Sequence, residues 1–163
     1  MSAQDREKIA LNKLFLKRSI IPEMKAGDIE GVLDEVVEPL VAARVIKPGL
    51  KKEVVEILLE RESQGSTGVG GGAAIPHAAV EEIDGVYGVL GRSVAGVDFN
   101  CVTGEKVHIF FLVLYPPEMQ RERRLVLGRI LELCRKGNFV RFLKAARNAG
   151  EMNELLCEVD GEA

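Results

Sequence analysis

Ile109-Phe-Phe-Leu-Val-Leu114 carries an apolar side chain at every position. A strand with one wet face alternates apolar and polar residues, so a strand without alternation must be covered on both faces. That reading calls for a layer on each side of a sheet, and the sequence supplies candidates for both. Upstream, Ile29, Val32, Leu33, Val36, Val37 and Leu40 recur at helical spacing behind Asp28, a residue type that caps helix N-termini. Pro39 is expected to end or kink that helix. A second helix is expected after Lys47-Pro-Gly, with Leu50, Val54, Ile57 and Leu58 on one face, reaching about Arg61 or Gln64 before glycines begin at Gly65. Downstream, three further stripes keep helical spacing: Leu127, Ile130, Leu131, Cys134; then Phe139, Phe142, Leu143, Ala146; then Met152, Leu155, Leu156, Val159.

Val69, Ala73-Ala-Ile75, Val86 to Val94 and Val107 to Leu114 are short β-rich runs broken by glycines. The last two are joined by a short connection, which implies a hairpin and therefore a mixed sheet. The expected fold is a three-layer α/β sandwich, with a mixed central sheet and helices on both faces. No repeat or low-complexity linker divides the chain, so residues 1–163 read as a single domain.

Composition narrows the function. The chain has 163 residues, 47% hydrophobic and 29% charged, enough to build a core. Lys plus Arg is 22 against 25 Asp plus Glu, a net charge of −3, which argues against a nucleic-acid binder. No Trp and 5% aromatics leave a base-stacking platform poorly supplied. Charge is uneven: Glu118 to Arg147 holds nine basic residues and three acidic ones, +6, which leaves −9 for the rest. Such a run is either the solvated outer faces of helices or a local positive field for an anion or an acidic partner.

Cys101, Cys134 and Cys157 form no CxxC pair, so neither a metal site nor a disulfide framework is signalled. Cys134 and Cys157 sit at apolar helix positions and read as core fillers. The stretch Met1-Ser-Ala-Gln-Asp-Arg-Glu-Lys lacks a signal-peptide apolar region, and the longest apolar run, Ile109 to Tyr115, has seven residues. A cytoplasmic protein without direct membrane insertion is expected.

There are two histidines. His108 opens the doubly buried strand and reads as structural. His77 follows Ala73-Ala-Ile-Pro76 and precedes two alanines. Pro76 removes a ladder donor, so pairing must break there, and the alanines leave the imidazole open to approach. Just before it, Gly65-Ser-Thr-Gly-Val-Gly-Gly-Gly72 has five glycines in eight residues. That segment is either a flexible connection or an anion cradle in which backbone N–H groups of the Gly68 region and the hydroxyls of Ser66 and Thr67 face a ligand. No Gly-Lys-[Ser/Thr] follows, and Pro76 falls too soon for a helix opened by GxGxxG, so a nucleotide site is disfavoured.

Arg61-Glu-Ser-Gln-Gly-Ser-Thr-Gly-Val-Gly-Gly-Gly-Ala-Ala-Ile-Pro-His-Ala resembles the signature of the fructose/mannitol-type enzyme IIA domains of the phosphoenolpyruvate-dependent sugar phosphotransferase system, whose fold the nitrogen-regulatory IIA proteins share. Gly96-Val-Asp-Phe, Gly104-Glu-Lys-Val and Phe110-Phe-Leu-Val-Leu-Tyr-Pro-Pro-Glu extend the resemblance over about residues 13–159. The resemblance implies a phosphoryl relay without cofactor or metal. His77 would accept a phosphoryl group from the histidine-containing phosphocarrier protein. It would then pass the group to a cysteine of a IIB domain, or its phosphorylation state would control a regulatory target protein. Arg61, sixteen residues before His77, would hold phosphoryl charge.

Two departures stand out. The family usually carries a second histidine near the start of the helix after the apolar strand. Here Glu118-Met-Gln-Arg-Glu-Arg-Arg-Leu-Val-Leu has none, and Arg123 or Arg124 falls at the matching place. An arginine there would grip phosphohistidine firmly but stays charged, so onward transfer would be slower, as suits a regulator. Ala73 stands where a branched aliphatic is usual, and only looser packing is expected from it. The competing reading is a degenerate interaction module that keeps the fold without carrying phosphate; the intact His77 and Arg61 argue against it.

Overall fold

The computed structural model describes residues 9–136 and 138–161; the expectation drawn from residues 1–8 lies outside them. In chain order the elements are α1 (Leu11–Leu14), a 3-10 turn at Lys17–Ser19, β1 (Ile20–Ile21), α2 (Ile29–Ala42), a second 3-10 turn at Pro48–Leu50 and α3 (Lys51–Ser63). The strands β2 (Gly68–Gly70), β3 (Ala73–Ala74), β4 (His77–Ala79), β5 (Tyr87–Val97) and β6 (Val107–Tyr115) follow, then α4 (Gln120–Arg135), α5 (Phe139–Ala145) and α6 (Ala149–Gly161).

The six strands form one mixed sheet in the order β1-β5-β6-β3-β2, with β4 also paired to β6. The antiparallel β5–β6 hairpin is its centre, while β3 and β4 run parallel to β6 one after the other along its far edge. Ile109 to Leu114 are all fully buried. Their side chains divide by alternation: Phe110, Leu112 and Leu114 join the core under α2 and α3, whereas Ile109, Phe111 and Val113 join the core under α1, α4, α5 and α6. Phe99 meets Phe110 edge-on at 5.2 Å on the first face, and Phe15 and Phe139 flank Phe111 at 5.7 and 6.1 Å on the second. The three-layer reading of the strand therefore holds.

Asp28 caps α2 as expected, its Oδ1 accepting from Gly31 N at 2.8 Å. Pro39 does not end the helix, which continues to Ala42. Only one turn lies beyond it, so a single backbone bond is forgone, while Leu40 in that turn is buried at 2% exposure. Arg44, at φ +63°, turns the chain out, with Val45 N donating to Leu40 O and Arg44 N to Val41 O. This is a Schellman ending with arginine where glycine is usual.

Three core assignments are corrected, the first being Ile57, which is exposed on α3 while Val54, Val55 and Leu58 fill its inner face. Phe142 is 48% exposed, with the Arg141 guanidinium over its ring, because α5 is short and Phe139, Val140 and Leu143 already fill its inner face. Cys157 is exposed on α6, whose buried residues are Met152, Leu156 and Val159. Cys134 packs half-buried against the second core, and burial pushes its thiol up to about 12. In α4 the deepest stripe is Val126, Arg129, Ile130 and Leu133, which rotates Leu127 and Leu131 toward the helix flank.

The basic run is partly inward. Arg129 is buried, donating to Val159 O at 3.0 Å, whereas Arg147 pairs with Glu151 and Lys136 with Glu132 at the surface. A further buried arginine lies outside the run. Arg92 on β5 donates from Nε to Pro22 O at 2.9 Å and aims Nη1 at the carbonyls of Leu143, Lys144 and Ala146, where α5 ends. A cation among helix C-terminal carbonyls meets the negative end of the dipole. Arg92→Met is expected to leave those carbonyls buried without a donor and to cost about 2–4 kcal/mol. Urea unfolding of the variant beside the parent protein measures it, and a loss under about 0.5 kcal/mol, the size of an ordinary surface substitution, would refute it.

Candidate functional site

β3 and β4 are one extended path along β6 interrupted at Ile75-Pro76. Ala74 pairs with Phe110, His77 with Val113, and between them Pro76 O accepts from Val113 N at 2.9 Å. The break leaves the Ile75 carbonyl free to turn toward the imidazole, and His77 Nδ1 lies 2.7 Å from it. A carbonyl only accepts, so Nδ1 carries the proton and Nε2 keeps its lone pair. His77 shares the sheet face of Val113, the face covered by α4.

His77 lines an open cleft of about 290 Å³. One wall is Arg61, at the last turn of α3, with the glycine-rich segment Ser66 to Val69; the other is Leu127, Gly128 and Leu131 of α4. Arg61 Nη1 donates to Gly65 O at 2.8 Å. A guanidinium has five N–H donors, so this tether fixes its position and leaves donors for a ligand.

The glycine-rich segment is braced from within. Thr67 gives both its N–H, at 3.1 Å, and its hydroxyl to the Glu62 carboxylate. Ser66 donates to Phe99 O at 2.9 Å and accepts from Gly68 N at 3.0 Å. Ser66, Thr67 and Gly68 thus line the cleft with both hydroxyls and the Thr67 and Gly68 N–H groups already engaged. A Cβ on Gly68 would lie 2.9 Å from Cys101 Sγ and 3.1 Å from Ser66 Oγ, so no larger residue fits that approach. Burial raises the Glu62 carboxyl above its ordinary value, and the two bonds from Thr67 oppose the shift.

Of the two arginines that could replace a second histidine, the structure separates Arg123 from Arg124. Arg123 is half-buried with its guanidinium over the Tyr115 ring, 5.6 Å from the centroid, whereas Arg124 is exposed. Tyr115 is the next residue beyond Val113 on the same face of β6, and Arg123 is one turn before Leu127 on α4. His108 is apart from this site: its Nδ1 bonds Ser93 O at 2.9 Å and its ring packs against Gly96, whose φ is +81°. Sequence reasoning did not single out the Ile75 carbonyl, Glu62 or Tyr115, because each acts through a partner that only the folded register supplies.

Burial lowers the His77 pKa below its ordinary 6.5, and the charges of Arg61 and Arg123 lower it further, against the opposing bond to Ile75 O. The folded state therefore binds the proton less readily than the unfolded chain. This contribution to stability is present above pH 6.5 and is lost as pH falls through the folded value.

Residues 13–159 match the family model of the phosphoenolpyruvate-dependent sugar phosphotransferase system, EIIA 2. The chain belongs to this family. The nitrogen regulatory protein of Bradyrhizobium diazoefficiens is 29% identical to this IIA chain over 146 residues, covering 90% of it and 94% of the relative. The fructose-specific EIIABC component of Bacillus subtilis is 27% identical over 150 residues, 92% of this chain but 23% of that larger protein. Among solved structures, nitrogen regulatory protein IIA-Ntr from Neisseria meningitidis superposes with a TM-score of 0.82 at 25% identity, over 90% of this chain and 98% of that one.

In a ¹⁵N-resolved ring titration His77 is expected to titrate below 6.5 with Nδ1 as the protonated nitrogen of the neutral form. Arg61→Gln should move the midpoint upward. A midpoint above 6.5 in the parent protein, or a protonated Nε2 in the neutral form, would contradict the geometry.

Proposed function

We propose that this IIA chain is a cytoplasmic phosphoryl carrier with His77 as acceptor. One observation carries the reading: Nδ1 is pinned to the Ile75 carbonyl, so the imidazole presents an unprotonated Nε2 in a cleft walled by Arg61. Family membership supports the same chemistry. The donor is the phosphohistidine of the histidine-containing phosphocarrier protein. Nε2 attacks phosphorus as the donor's N–P bond breaks, and the departing imidazole recovers its electron pair. The proton stays on Nδ1, where the Ile75 carbonyl supports the more acidic ring of phosphohistidine. Arg61 meets the phosphoryl oxygens, and the transfer is otherwise positioning and charge stabilisation.

Onward transfer reverses the step: a IIB cysteine thiolate attacks phosphorus, an S–P bond forms and the N–P bond to His77 breaks. The Bacillus relative's name joins A, B and C components, which supports a IIB acceptor. The nitrogen regulatory relatives support the other end use, in which the phosphorylated state is the signal to a target protein. The degenerate-module reading is disfavoured by an imidazole held in its nucleophilic tautomer beside a tethered arginine.

Incubation with phosphoenolpyruvate, enzyme I and the phosphocarrier protein is expected to add one phosphoryl group by intact mass under alkaline conditions. His77→Ala should gain none. No gain in the parent protein beside a demonstrably active relay, or an undiminished gain in His77→Ala, would overturn the proposal.

A further inference from the structure

Resting on the carrier reading, we propose that Glu62 is a positioning residue for His77, acting through a chain of hydrogen bonds that fixes the carbonyl on which the imidazole leans. Glu62, in the last turn of α3, accepts the Thr67 N–H at 3.1 Å on one carboxylate oxygen and the Thr67 hydroxyl on the other. Thr67 O accepts in turn from Ile75 N at 3.1 Å. His77 Nδ1 then donates to Ile75 O at 2.7 Å. The end of α3, the glycine-rich segment and the break between β3 and β4 are thereby joined in one path to the ring.

Ile75 is the residue that needs such an anchor. Ala74 before it is paired with Phe110, and Pro76 after it has no N–H and gives its carbonyl to Val113 N. The Ile75 N–H is therefore the only backbone donor in the break, and Thr67 holds it rather than β6. Thr67 is buried, so its N–H and hydroxyl need acceptors inside the protein, and Glu62 supplies both.

Glu62 itself lies outside the His77 cleft. Its side chain lines a separate cleft with Asp98 and Asn100. Nor does its charge weigh on the imidazole: among the described residues, the charges that do so are those of Arg61 and Arg123. Its backbone carbonyl accepts from Gly65 N at 3.2 Å, and Gly65 O tethers Arg61. Those two bonds do not involve the Glu62 side chain, so a substitution there leaves the Arg61 tether in place. What the carboxylate does for His77 must run through Thr67 and Ile75. The two neutral tautomers of an imidazole lie close in free energy, so one neutral hydrogen bond decides between them. A displaced Ile75 carbonyl would release the proton to Nε2 and take away the lone pair that attacks phosphorus.

The test reads the ring nitrogens of His77 and His108 in ¹⁵N-labelled protein at alkaline pH, beside the rate of phosphoryl uptake from the phosphocarrier protein. Glu62→Met removes both acceptors. It is expected to lower the ratio of Nδ1–H to Nε2–H on His77 roughly two- to tenfold, the contribution of one neutral hydrogen bond, and to slow uptake by up to the same factor. Thr67→Val removes the hydroxyl link alone, should shift the ratio less in the same direction, and carries the test if Glu62→Met does not fold. Glu62→Gln is the conservative rescue, because its amide oxygen accepts from Thr67 N–H while its N–H donates to the Thr67 hydroxyl oxygen. It should return ratio and rate to within about twofold of the parent protein. His108 is the internal reference: Ser93 O holds its Nδ1 at 2.9 Å, outside the chain of bonds, and its tautomer should not move. A His77 ratio unchanged in both Glu62→Met and Thr67→Val overturns the inference. So does an equal shift at His108, which would report general loosening, or a Glu62→Gln variant that behaves like Glu62→Met. In each case phosphoryl uptake by the parent protein keeps the carrier reading standing. A parent protein that takes no phosphoryl group beside an active relay overturns the carrier reading and the inference with it.

Discussion

β6 can accept no polar surroundings on either face, and the rest of the molecule is arranged by that demand. Six consecutive apolar side chains, Ile109 to Leu114, are fully withdrawn from water. Each contributes on the order of 1.5–3 kcal/mol, so a layer missing from either face would leave the strand untenable. The α2–α3 pair supplies one cover and α1 with α4–α6 the other. Because β6 is fixed by both cores, its register becomes the ruler for the site. Val113 places His77, Tyr115 places Arg123, and the wall of α4 falls opposite the glycine-rich segment.

The break at Ile75-Pro76 turns this ruler into chemistry. A continuous strand would have spent the Ile75 carbonyl on the ladder. With Pro76 lacking an N–H, the chain leaves and rejoins β6, and the carbonyl that falls between the two short strands orients the imidazole instead. Local sequence thus decides where pairing stops, and the stop decides which ring nitrogen is basic.

What could be read beforehand follows from how local each signal is. The doubly buried strand, the Asp28 cap and the position of His77 after a ladder-breaking proline are carried by neighbouring residues, and they were legible. Phe142 was misplaced because helical spacing reports a stripe but not where the stripe is centred on a seven-residue helix. Pro39 does not end its helix, because the cost of a helical proline depends on how many turns follow it. Nothing in the sequence next to Arg92 or Arg129 marks either as a buried cation. Their partners are backbone carbonyls tens of residues away, which sequence does not display. The choice between Arg123 and Arg124 likewise rests on the rotation of α4 and on the Tyr115 ring beneath it. Ser66 and Thr67 carry the right chemistry for an anion cradle, but Glu62 and Phe99 claim their donors, leaving charge at the site to the arginines.

Those arginines impose a trade on the proposed relay. Burial is the main cause that keeps His77 unprotonated, but the charges of Arg61 and Arg123 that add to it are also the ones that would receive the phosphoryl dianion, so part of the readiness to accept shares its source with the reluctance to release. A carrier passes a group along only if its loaded state lies near its neighbours in free energy. Any factor by which fixed charge favours loading from the donor is paid back in full when the group leaves, since the two steps share the loaded state. A second histidine could relax that hold by changing its protonation. Arg123 has no such release, so its effect on unloading must be offset by the acceptor: a IIB thiolate with a strong grip of its own, or no rapid acceptor at all. In the second case phosphate would reside on His77 long enough for occupancy itself to be read by a partner, which is the behaviour a regulator requires.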